Sequence, residues 1–425
     1  MGRFTGLIGI LIILGLAFLW SNNRKKINYR LVITGLSLQV LLAVFILKVR
    51  AGQEIFFWLG KAINKLLDFS KEGGLFVFGD LTKVTQILPE GIVKSGIFLF
   101  VLLPTIIFVC VLVAIAYHVG LMQRIIALIA RFVHIVMRVS GSEALSNVAS
   151  IFVGQVEAQI MIRPYLSGMT MSELLASMTG SMACIAGGVM AVYISMGVPA
   201  SYLLAASLMA APGALVISKI VFPETEESET KGKVNLEVKK EHSGIMDAIS
   251  QGASDGMKIS LNVIAMLIGV IALIALADAL LGYLGHLLSW MGLSLNFLGL
   301  NIDNLRLKDV FGAFFSLFAI VMGVPVSDSH NVGSLMGTKM VINEFVAYSD
   351  LSPMIHQGLL SAKSVIIASF ALCGFANFSS IAIQLGGIGV LVPERRSDLA
   401  KLGFKAMLCG TMASYISAAL AGMLL

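Results

Sequence analysis

Apolar runs of about 20 residues, the length of a helix that crosses a bilayer, recur along this chain of 425 residues. Hydrophobic residues make up 57% of the sequence and charged residues only 13%, whereas a soluble domain carries about 25% charged residues. The mean hydropathy is +0.92. The runs do not show the alternating pattern of a membrane β-barrel. We therefore expect an α-helical, polytopic membrane protein.

The distribution of charge and cysteine predicts how the chain lies in the membrane. The basic stretch from Arg24 to Arg30 follows the first apolar run, so residues 4–20 are predicted to be a retained helix and the basic loop to lie in the cytoplasm. The net charge of +6 fits such loops, and no nucleic acid is expected as a partner. The four cysteines have no metal-ligand spacing, so no cofactor or metal is assigned. We expect a multi-pass protein of a cell membrane, a bacterial inner membrane, with both termini facing outward.

Two carboxylates lie in segments that are otherwise apolar enough for the bilayer interior. Glu157 lies in residues 154–164, and Glu344 lies in residues 341–348. A charge at the bilayer centre costs about 2.5–3.5 kcal/mol on insertion scales, so such residues usually mark a pathway or a bound substrate. The alternative is a structural ion pair, with Arg163 for the first carboxylate and with Lys339 for the second.

The order of predicted elements repeats along the chain. A surface helix, a re-entrant hairpin with a polar tip, a broken helix and a full helix occur twice, which is typical of inverted-repeat transporters. We expect eight transmembrane helices plus two re-entrant hairpins. The expected parts are helices 1–3 as a scaffold in 1–120, a first repeat in 121–222, a cytoplasmic linker in 223–255, scaffold helix 6 in 256–283, and a second repeat in 284–425.

Glycine, proline and charge give the expected boundaries within these parts. Residues 50–93 are predicted to be an extracytoplasmic segment broken at Gly73 and Gly74. The remaining expectations are an interfacial helix with Arg124, Arg131 and Arg138 on one face, a first hairpin over 144–169, breaks at 186–188 and 374–380 in the two interrupted helices, a surface helix near 284–300, and a second hairpin over 308–358.

Three motifs together resemble the signature stretches of the concentrative nucleoside transporters. They are Gly-Gln-Val-Glu-Ala at 154–158, Ile-Asn-Glu-Phe-Val-Ala-Tyr at 342–348 and Gly-Phe-Ala-Asn-Phe-Ser-Ser at 374–380. The resemblance in order and spacing extends from the first helix to the C-terminus. It implies a homotrimer in the lipid bilayer, in which each protomer imports nucleosides by symport with a cation.

The resemblance also implies a substrate site on the hairpins and broken helices. It assigns Gln155 and Glu157 to the nucleobase, with Val156 beside them and Val189 lining the pocket. It assigns Phe375 to packing against the base, and Glu344, Asn377 and Ser380 to the ribose hydroxyls. Val156 departs from the family pattern, where Ser or Thr is usual, and Gln159 stands where Pro is common. The base preference therefore stays open, and a carrier of modified nucleosides or nucleobases is the alternative.

The ion-coupling positions depart further from the family pattern. Sodium-coupled members resemble one another in an Asn and a Ser that are replaced here by Ser150 and Cys184, and a thiol is a poor ligand for a hard cation. A buried carboxyl group can instead carry a proton. We expect proton coupling, with sodium coupling as the alternative. The assigned ion-coupling residues are Ser150, Val153, Cys184, Ile185, Glu157 and Glu344.

We expect transport by elevator-type alternating access, with hairpins and broken helices moving against helices 3 and 6. A hydrolase that uses the two carboxylates would need paired geometry or a metal motif such as His-Glu-x-x-His, and the sequence lacks that motif. A channel is a further alternative, which saturable, gradient-driven accumulation of the solute would exclude. No enzymatic activity is therefore predicted.

Overall fold

The computed structural model describes residues 4–82, 85–87, 93–95, 98–230, 243–291 and 305–424. Apart from two short antiparallel strands, β1 (Thr85–Ile87) and β2 (Val93–Ser95), the regular structure in these ranges is helical. The first half contains α1 (Phe4–Leu19), α2 (Tyr29–Leu47), α3 (Arg50–Phe78), α4 (Phe98–His118), α5 (Leu121–Met137), α6 (Gly141–Ala149), α7 (Glu157–Ile160), α8 (Met171–Ala183), α9 (Gly187–Ser195) and α10 (Ala200–Val221). The second half contains α11 (Ile245–Trp290), α12 (Leu307–Val321), α13 (Val326–Val341), α14 (Glu344–His356), α15 (Ala362–Leu372), α16 (Phe378–Leu391) and α17 (Arg396–Leu424).

The helices confirm the predicted α-helical class of a polytopic membrane protein. Within the described ranges, five helical stretches are long and apolar enough to cross a membrane, or up to seven if each of two bent helix pairs counts as one span. These pairs are α4 with α5, bent by 75°, and α12 with α13, bent by 118°. The expected number of eight transmembrane helices stays a prediction.

Helix α3 corrects the break predicted at Gly73 and Gly74. The helix continues through both glycines. A Cβ atom on Gly74 would lie 2.9 Å from Cγ of Pro104 in α4, so the missing side chain lets the two helices approach. Glycine inside a helix costs only about 1 kcal/mol, which such packing can offset. The prediction was wrong because a glycine pair that permits a helix contact looks the same in sequence as a break.

The first and last helices run antiparallel to each other. Near the chain termini, a Cβ atom on Gly6 would lie 2.8 Å from the carbonyl oxygen of Ala419. At the other end of the pair, the ammonium group of Lys405 donates to Oδ1 of Asn22 at 2.8 Å. The start of α1 and the end of α17 therefore lie at the same end of the bundle.

Four connections meet at the opposite end of the bundle, which we call the loop end. The backbone N–H of Asn22, after α1, donates to the carbonyl oxygen of Val221 in the last turn of α10 at 2.9 Å. The guanidinium group of Arg395, before α17, donates to the carbonyl oxygen of Met169, before α8, at 2.7 Å. These connections include the basic loop and the linker that the sequence places in the cytoplasm.

A buried ion pair at the loop end fixes the start of the first hairpin. The ammonium group of Lys219, in α10, pairs with Glu143 in α6 and lies 3.1 Å from Oε2 of Glu224. It also donates to the hydroxyl group of Ser172 at 2.9 Å. The side chain of Lys219 is only 6% exposed, and its carboxylate and hydroxyl partners offset the cost of burying the charge.

Helix α11 differs from its predicted bounds. It begins at Ile245 rather than near residue 256 and continues to Trp290, so a separate surface helix does not begin at residue 284. The sequence between 282 and 290 has no proline to end the helix, and single glycines there do not interrupt it. The remainder of the predicted surface helix, from residue 292, lies outside the described residues.

The predicted second hairpin over 308–358 is three helices rather than two. Helix α12 ends in a turn where Gly323 adopts a φ of +99°, and Pro325 precedes the first residue of α13. The helix pair that carries the predicted polar tip is α13 and α14, with the tip at residues 342–343. That this pair is re-entrant stays a prediction. Gly323 lies after the end of α12 and Pro325 before the start of α13. The prediction had placed both residues inside one hairpin.

The two interrupted helices have their breaks close to the predicted positions, although Gly187 and Gly188 begin α9 and residues 378–380 begin α16. The first consists of α8 and α9, with a break at residues 184–186. The second consists of α15 and α16, with a break at residues 373–377. In both halves a hairpin, an interrupted helix and a full helix follow one another in the same order, so the chain contains the predicted structural repeat.

Candidate functional site

The tip of the second hairpin directs Glu344 into the protein interior. Asn343 precedes α14 with an extended backbone, and its Oδ1 accepts a hydrogen bond from the N–H of Val346 at 2.9 Å. This is an N-cap, which satisfies one of the free N–H groups at the helix start. Glu344 is thereby the first residue of α14, and it is 6% exposed.

The carboxylate of Glu344 joins three elements of the fold. Its Oε1 accepts a hydrogen bond from the hydroxyl group of Tyr193, in α9, at 3.1 Å. Its Oε2 accepts a hydrogen bond from Nδ2 of Asn377, in the second break, at 2.9 Å. Tyr193 stacks on Tyr348 with 4.3 Å between ring centroids. The second hairpin is thereby connected to both interrupted helices through one acidic group.

Asn377 has two functions at the second break. Its Oδ1 accepts the N–H of Ser380 at 2.9 Å and so caps α16, while its Nδ2 contacts Glu344. The hydroxyl group of Ser380 accepts a hydrogen bond from Nε2 of Gln155, at the tip of the first hairpin, at 3.3 Å. Four of the five polar residues predicted by the motifs, Gln155, Glu344, Asn377 and Ser380, therefore lie together.

The breaks of the two interrupted helices contact each other through backbone groups. The N–H of Phe375 donates to the carbonyl oxygen of Cys184 at 3.3 Å. Gly374 adopts a φ of +117°, and a Cβ atom there would lie 2.6 Å from the carbonyl oxygen of Ala183. Only glycine fits both the conformation and the space. Ser207, in α10, also lies between the breaks, with its hydroxyl 3.3 Å from the N–H of Ile185 and 3.6 Å from Sγ of Cys373.

Glu157 differs from Glu344 in its surroundings. It is the first residue of α7 and it is exposed, with its carboxylate turned back toward Gly154. Among the described residues, its carboxylate accepts no hydrogen bond and forms no ion pair. The alternative pairing with Arg163 is therefore wrong for this structure. The alternative pairing of Glu344 with Lys339 is wrong as well, because Lys339 donates to the carbonyl oxygen of Ala371 at 3.1 Å.

Of the predicted ion-coupling residues, Ser150 and Cys184 contact other protein groups through their side chains. The hydroxyl group of Ser150 donates to the carbonyl oxygen of Ser146 at 2.7 Å and lies 3.0 Å from the hydroxyl group of Ser181. The thiol of Cys184 points toward the carbonyl oxygen of Ser207 at 3.6 Å. The side chains of Val153 and Ile185 are buried. The described residues contain no group of three or more His, Cys, Asp or Glu that could hold a metal ion.

The apolar residues of the predicted site lie at its edge. Val189 and Phe375 are half-buried and pack against the core. Val156 lies over Gly387 in α16, where a Cβ atom would come 2.7 Å from its Cγ1. The sequence reading missed Tyr193. Its position four residues after Val189, on the same helix face, is the signal that was available.

Three family models match the chain. "Na+ dependent nucleoside transporter N-terminus" covers residues 8–81, "Nucleoside recognition" covers 99–200, and "Na+ dependent nucleoside transporter C-terminus" covers 202–422. A Bacillus subtilis protein named uncharacterized transporter YutK is 41% identical over 424 residues, which is 100% of both chains. The rat protein named sodium/nucleoside cotransporter 2 is 38% identical over 99% of this chain and 62% of its own length.

Solved structures have the same fold. The structure of CNTnw in an inward-facing substrate-bound state has a TM-score of 0.90 and 38% identity, covering 100% of this chain and 98% of its own. A CNTnw variant in an outward-facing state has a TM-score of 0.91. The matched models span nearly the whole chain, and the solved fold matches it from end to end. The chain therefore belongs to the concentrative nucleoside transporter family, whose members are transporters and not enzymes.

Proposed function

We propose that this protein imports nucleosides by cation symport and that Glu344 binds the ribose. The observation that carries this proposal is the position of the Glu344 carboxylate, held between Tyr193 and Asn377 where both interrupted helices meet the second hairpin. A carboxylate accepts hydrogen bonds through two oxygens with about four lone-pair directions. Two are used by the protein, so the ribose hydroxyl groups of a nucleoside have acceptors available.

The first hairpin supplies groups suited to a nucleobase. Oε1 of Gln155 is buried and accepts no hydrogen bond from the described residues. Such an unpaired acceptor costs about 1–3 kcal/mol, which a donor on a bound base would relieve. The free carboxylate of Glu157 is a second acceptor for base N–H groups. The site proposed for the substrate consists of Gln155, Val156, Glu157, Val189, Glu344, Phe375, Asn377 and Ser380.

The hydrogen bonds around Ser150 favour a proton over sodium as the coupling ion. The hydrogen of Ser150 is used on Ser146, so the hydroxyl of Ser181 must donate to Ser150. Gln159 in turn donates through Nε2 to Ser181 at 2.7 Å, and its Oε1 accepts the hydroxyl of Ser177 at 2.6 Å. This chain of donors leaves Ser150 one lone pair at most for a cation. Glu157 is exposed, so the argument from burial does not apply to it. We propose it as the proton carrier because its carboxylate has no hydrogen-bond or ion-pair partner among the described residues, whereas Glu344 already accepts hydrogen bonds from Tyr193 and Asn377.

Sodium coupling is the second candidate, because the names of several relatives specify sodium. The experiment is radiolabelled uridine uptake into vesicles, with sodium and proton gradients imposed separately. Proton coupling predicts accumulation driven by an inward proton gradient without sodium, and abolished by a protonophore. In Ser150→Asn with Cys184→Ser, which restores family-like oxygen ligands, we expect uptake to become sodium-dependent. Sodium-dependent uptake in the wild type would refute proton coupling, and uptake indifferent to both gradients would refute symport.

Helices α4 and α11 correspond to the predicted scaffold helices 3 and 6. Their close packing supports an elevator-type mechanism in which these two helices form the scaffold. A Cβ atom on Gly252 would lie 2.9 Å from the carbonyl oxygen of Cys110, and one on Gly256 would lie 2.6 Å from Cα of Ile107. Small residues allow such close contact between membrane helices. The two helices can therefore remain together while the hairpins and interrupted helices move. A homotrimer is proposed from the family resemblance.

The membrane orientation is proposed from the connections that meet at the loop end. The basic loop near Arg24 and the linker after Val221 lie at the loop end, so by the positive-inside rule this end faces the cytoplasm. Both termini then face outward, in a bacterial inner membrane. A reactive cysteine introduced near Asn22, labelled from one side only by an impermeant reagent, tests the assignment.

Val156 supports a second candidate substrate. Its side chain faces Gly387 and offers no hydroxyl to the base, so a modified nucleoside or a nucleobase is the alternative. Competition separates the candidates. Ribose-modified analogues should fail to compete with uridine if the ribose is bound through Glu344, whereas a nucleobase carrier would ignore the ribose.

A further inference from the structure

Lys339 is a buried cation that the proposed substrate and coupling sites do not use. It lies in the last turn of α13, the first helix of the second hairpin, and its exposed fraction is 0%. Lys219, a second buried lysine among the described residues, has carboxylate partners in Glu143 and Glu224. Lys339 has no carboxylate within ion-pair distance among the described residues.

The acceptor of Lys339 is a carbonyl group at a broken helix end. Its ammonium group donates to the carbonyl oxygen of Ala371, in the last turn of α15, at 3.1 Å. In an uninterrupted helix this oxygen would accept the N–H of Phe375. That N–H donates instead to Cys184, across the contact between the two breaks. The ammonium group therefore replaces the hydrogen bond that the break removes.

The positive charge, and not only the hydrogen bond, fits this place. The carbonyl end of a helix carries a partial negative charge, equivalent to about half an elementary charge for a full helix. A neutral side chain could donate a hydrogen bond without the several kcal/mol that burying an ion costs. Glu344 follows Lys339 by five residues, so the second hairpin contains one ionisable group of each sign.

The corresponding place in the first repeat contains no fixed charge. There, the end of the hairpin helix α6 approaches the last turn of α8 through the hydroxyl groups of Ser150 and Ser181, 3.0 Å apart. Both of these groups are neutral. The first hairpin thus has the carboxylate of Glu157 and no cation of its own at the tip, whereas the second hairpin has Glu344 together with Lys339.

We propose that Lys339 is a built-in counter-cation of the second repeat. Its ammonium group holds the second hairpin closed on the end of α15, with Glu344 in place for the substrate, and it makes a mobile cation unnecessary there. The need for a coupling cation is then confined to the first hairpin. This last point rests on the proposed symport, whereas the role of the charge at the second hairpin does not.

The test is chemical rescue of Lys339→Ala, measured as counterflow exchange of labelled for unlabelled uridine in proteoliposomes. Counterflow needs no ion gradient, so a failure of the symport proposal does not affect it. Loss of a hydrogen bond from a charged donor predicts a fall in exchange of more than about tenfold. Added ethylammonium, which can place an ammonium group in the vacated space, is expected to restore exchange. Tetramethylammonium, which has no N–H group, is expected not to restore it.

Two further variants separate the effect of the charge from that of the hydrogen bond, and the effect of this position from that of a buried lysine in general. Lys339→Gln retains a donor of similar length without the charge, and we expect it to be as inactive as Lys339→Ala while it stays folded by size-exclusion chromatography. Lys219→Gln, the matched buried lysine, is expected to lower thermal stability and leave exchange per folded protein unchanged. Wild-type exchange in Lys339→Gln would overturn the proposal, as would a folded Lys339→Ala that ethylammonium does not restore. If Lys339→Ala does not fold, Lys339→Gln alone decides.

Discussion

The N–H of Phe375 donates to the carbonyl oxygen of Cys184 at 3.3 Å, so the breaks of the two interrupted helices are in direct contact. Each break frees backbone groups that a continuous helix would pair internally. Here, one freed N–H satisfies a freed carbonyl of the other repeat. The polar residues of the proposed site lie around this contact, which explains how unpaired backbone is tolerated inside an apolar protein.

The carboxylate of Glu344 is expected to determine ribose affinity. Glu344→Gln should raise the dissociation constant of uridine by more than about tenfold, because a hydrogen bond to a charged acceptor contributes about 1.5–3 kcal/mol. Tyr193→Phe should raise it less, since Tyr193 only orients the carboxylate. Isothermal titration with uridine and 3′-deoxyuridine checks both. The analogue should lose less affinity than uridine in Glu344→Gln, and equal losses would argue against a ribose contact.

Asn377 is expected to act on both stability and binding. Asn377→Ala removes the N-cap of α16, which costs about 0.5–2 kcal/mol, and also removes the hydrogen bond to Glu344. Ser361→Ala is the matched control, because Ser361 caps α15 outside the proposed site. Both variants should lower the thermal unfolding midpoint in detergent, and only Asn377→Ala should weaken uridine binding. Equal weakening in both would show that Asn377 acts through stability alone.

Val156 and Gly387 are expected to be coupled. Gly387→Ala places a methyl group against Val156, and overpacking of this kind costs about 1–3 kcal/mol. Adding Val156→Ala should recover most of that loss, because it vacates the space. A double-mutant cycle of thermal unfolding, with a coupling energy of about 0.5–3 kcal/mol, checks the contact. Strictly additive effects would mean that the two residues do not touch.

The pair of Lys219 and Glu143 is expected to stabilise the loop end without a part in transport. Lys219→Met leaves the carboxylate of Glu143 buried and unpaired, which costs about 3–5 kcal/mol. Adding Glu143→Gln removes the charge and should restore part of the stability. The thermal unfolding midpoint of the purified variants measures this. A double variant less stable than Lys219→Met would contradict the explanation.

Local properties of the sequence were enough to predict the membrane class, the approximate positions of the breaks in both interrupted helices and the two carboxylates of the hairpins. The roles of the other motif residues came from the family resemblance. Apolar length and glycine act over a few neighbouring residues, so they can be recognised in the sequence. The capping by Asn343 and Asn377 was found only in the structure. The same local signals failed at Gly73 and Gly74 and at residue 284. In the first case a contact with Pro104 keeps the helix intact, and in the second no residue ends α11.

Only the tertiary structure decided which charged and polar groups pair. Glu344 and its donor Tyr193 are 151 residues apart in the chain, and no spacing rule connects them. Lys339, five residues before Glu344, is nearer in sequence, yet it donates to the end of α15 because the break leaves the oxygen of Ala371 without its helical partner. Pairing in a low-dielectric interior depends on which groups the packing brings within hydrogen-bond distance, and that distance is set by the whole fold.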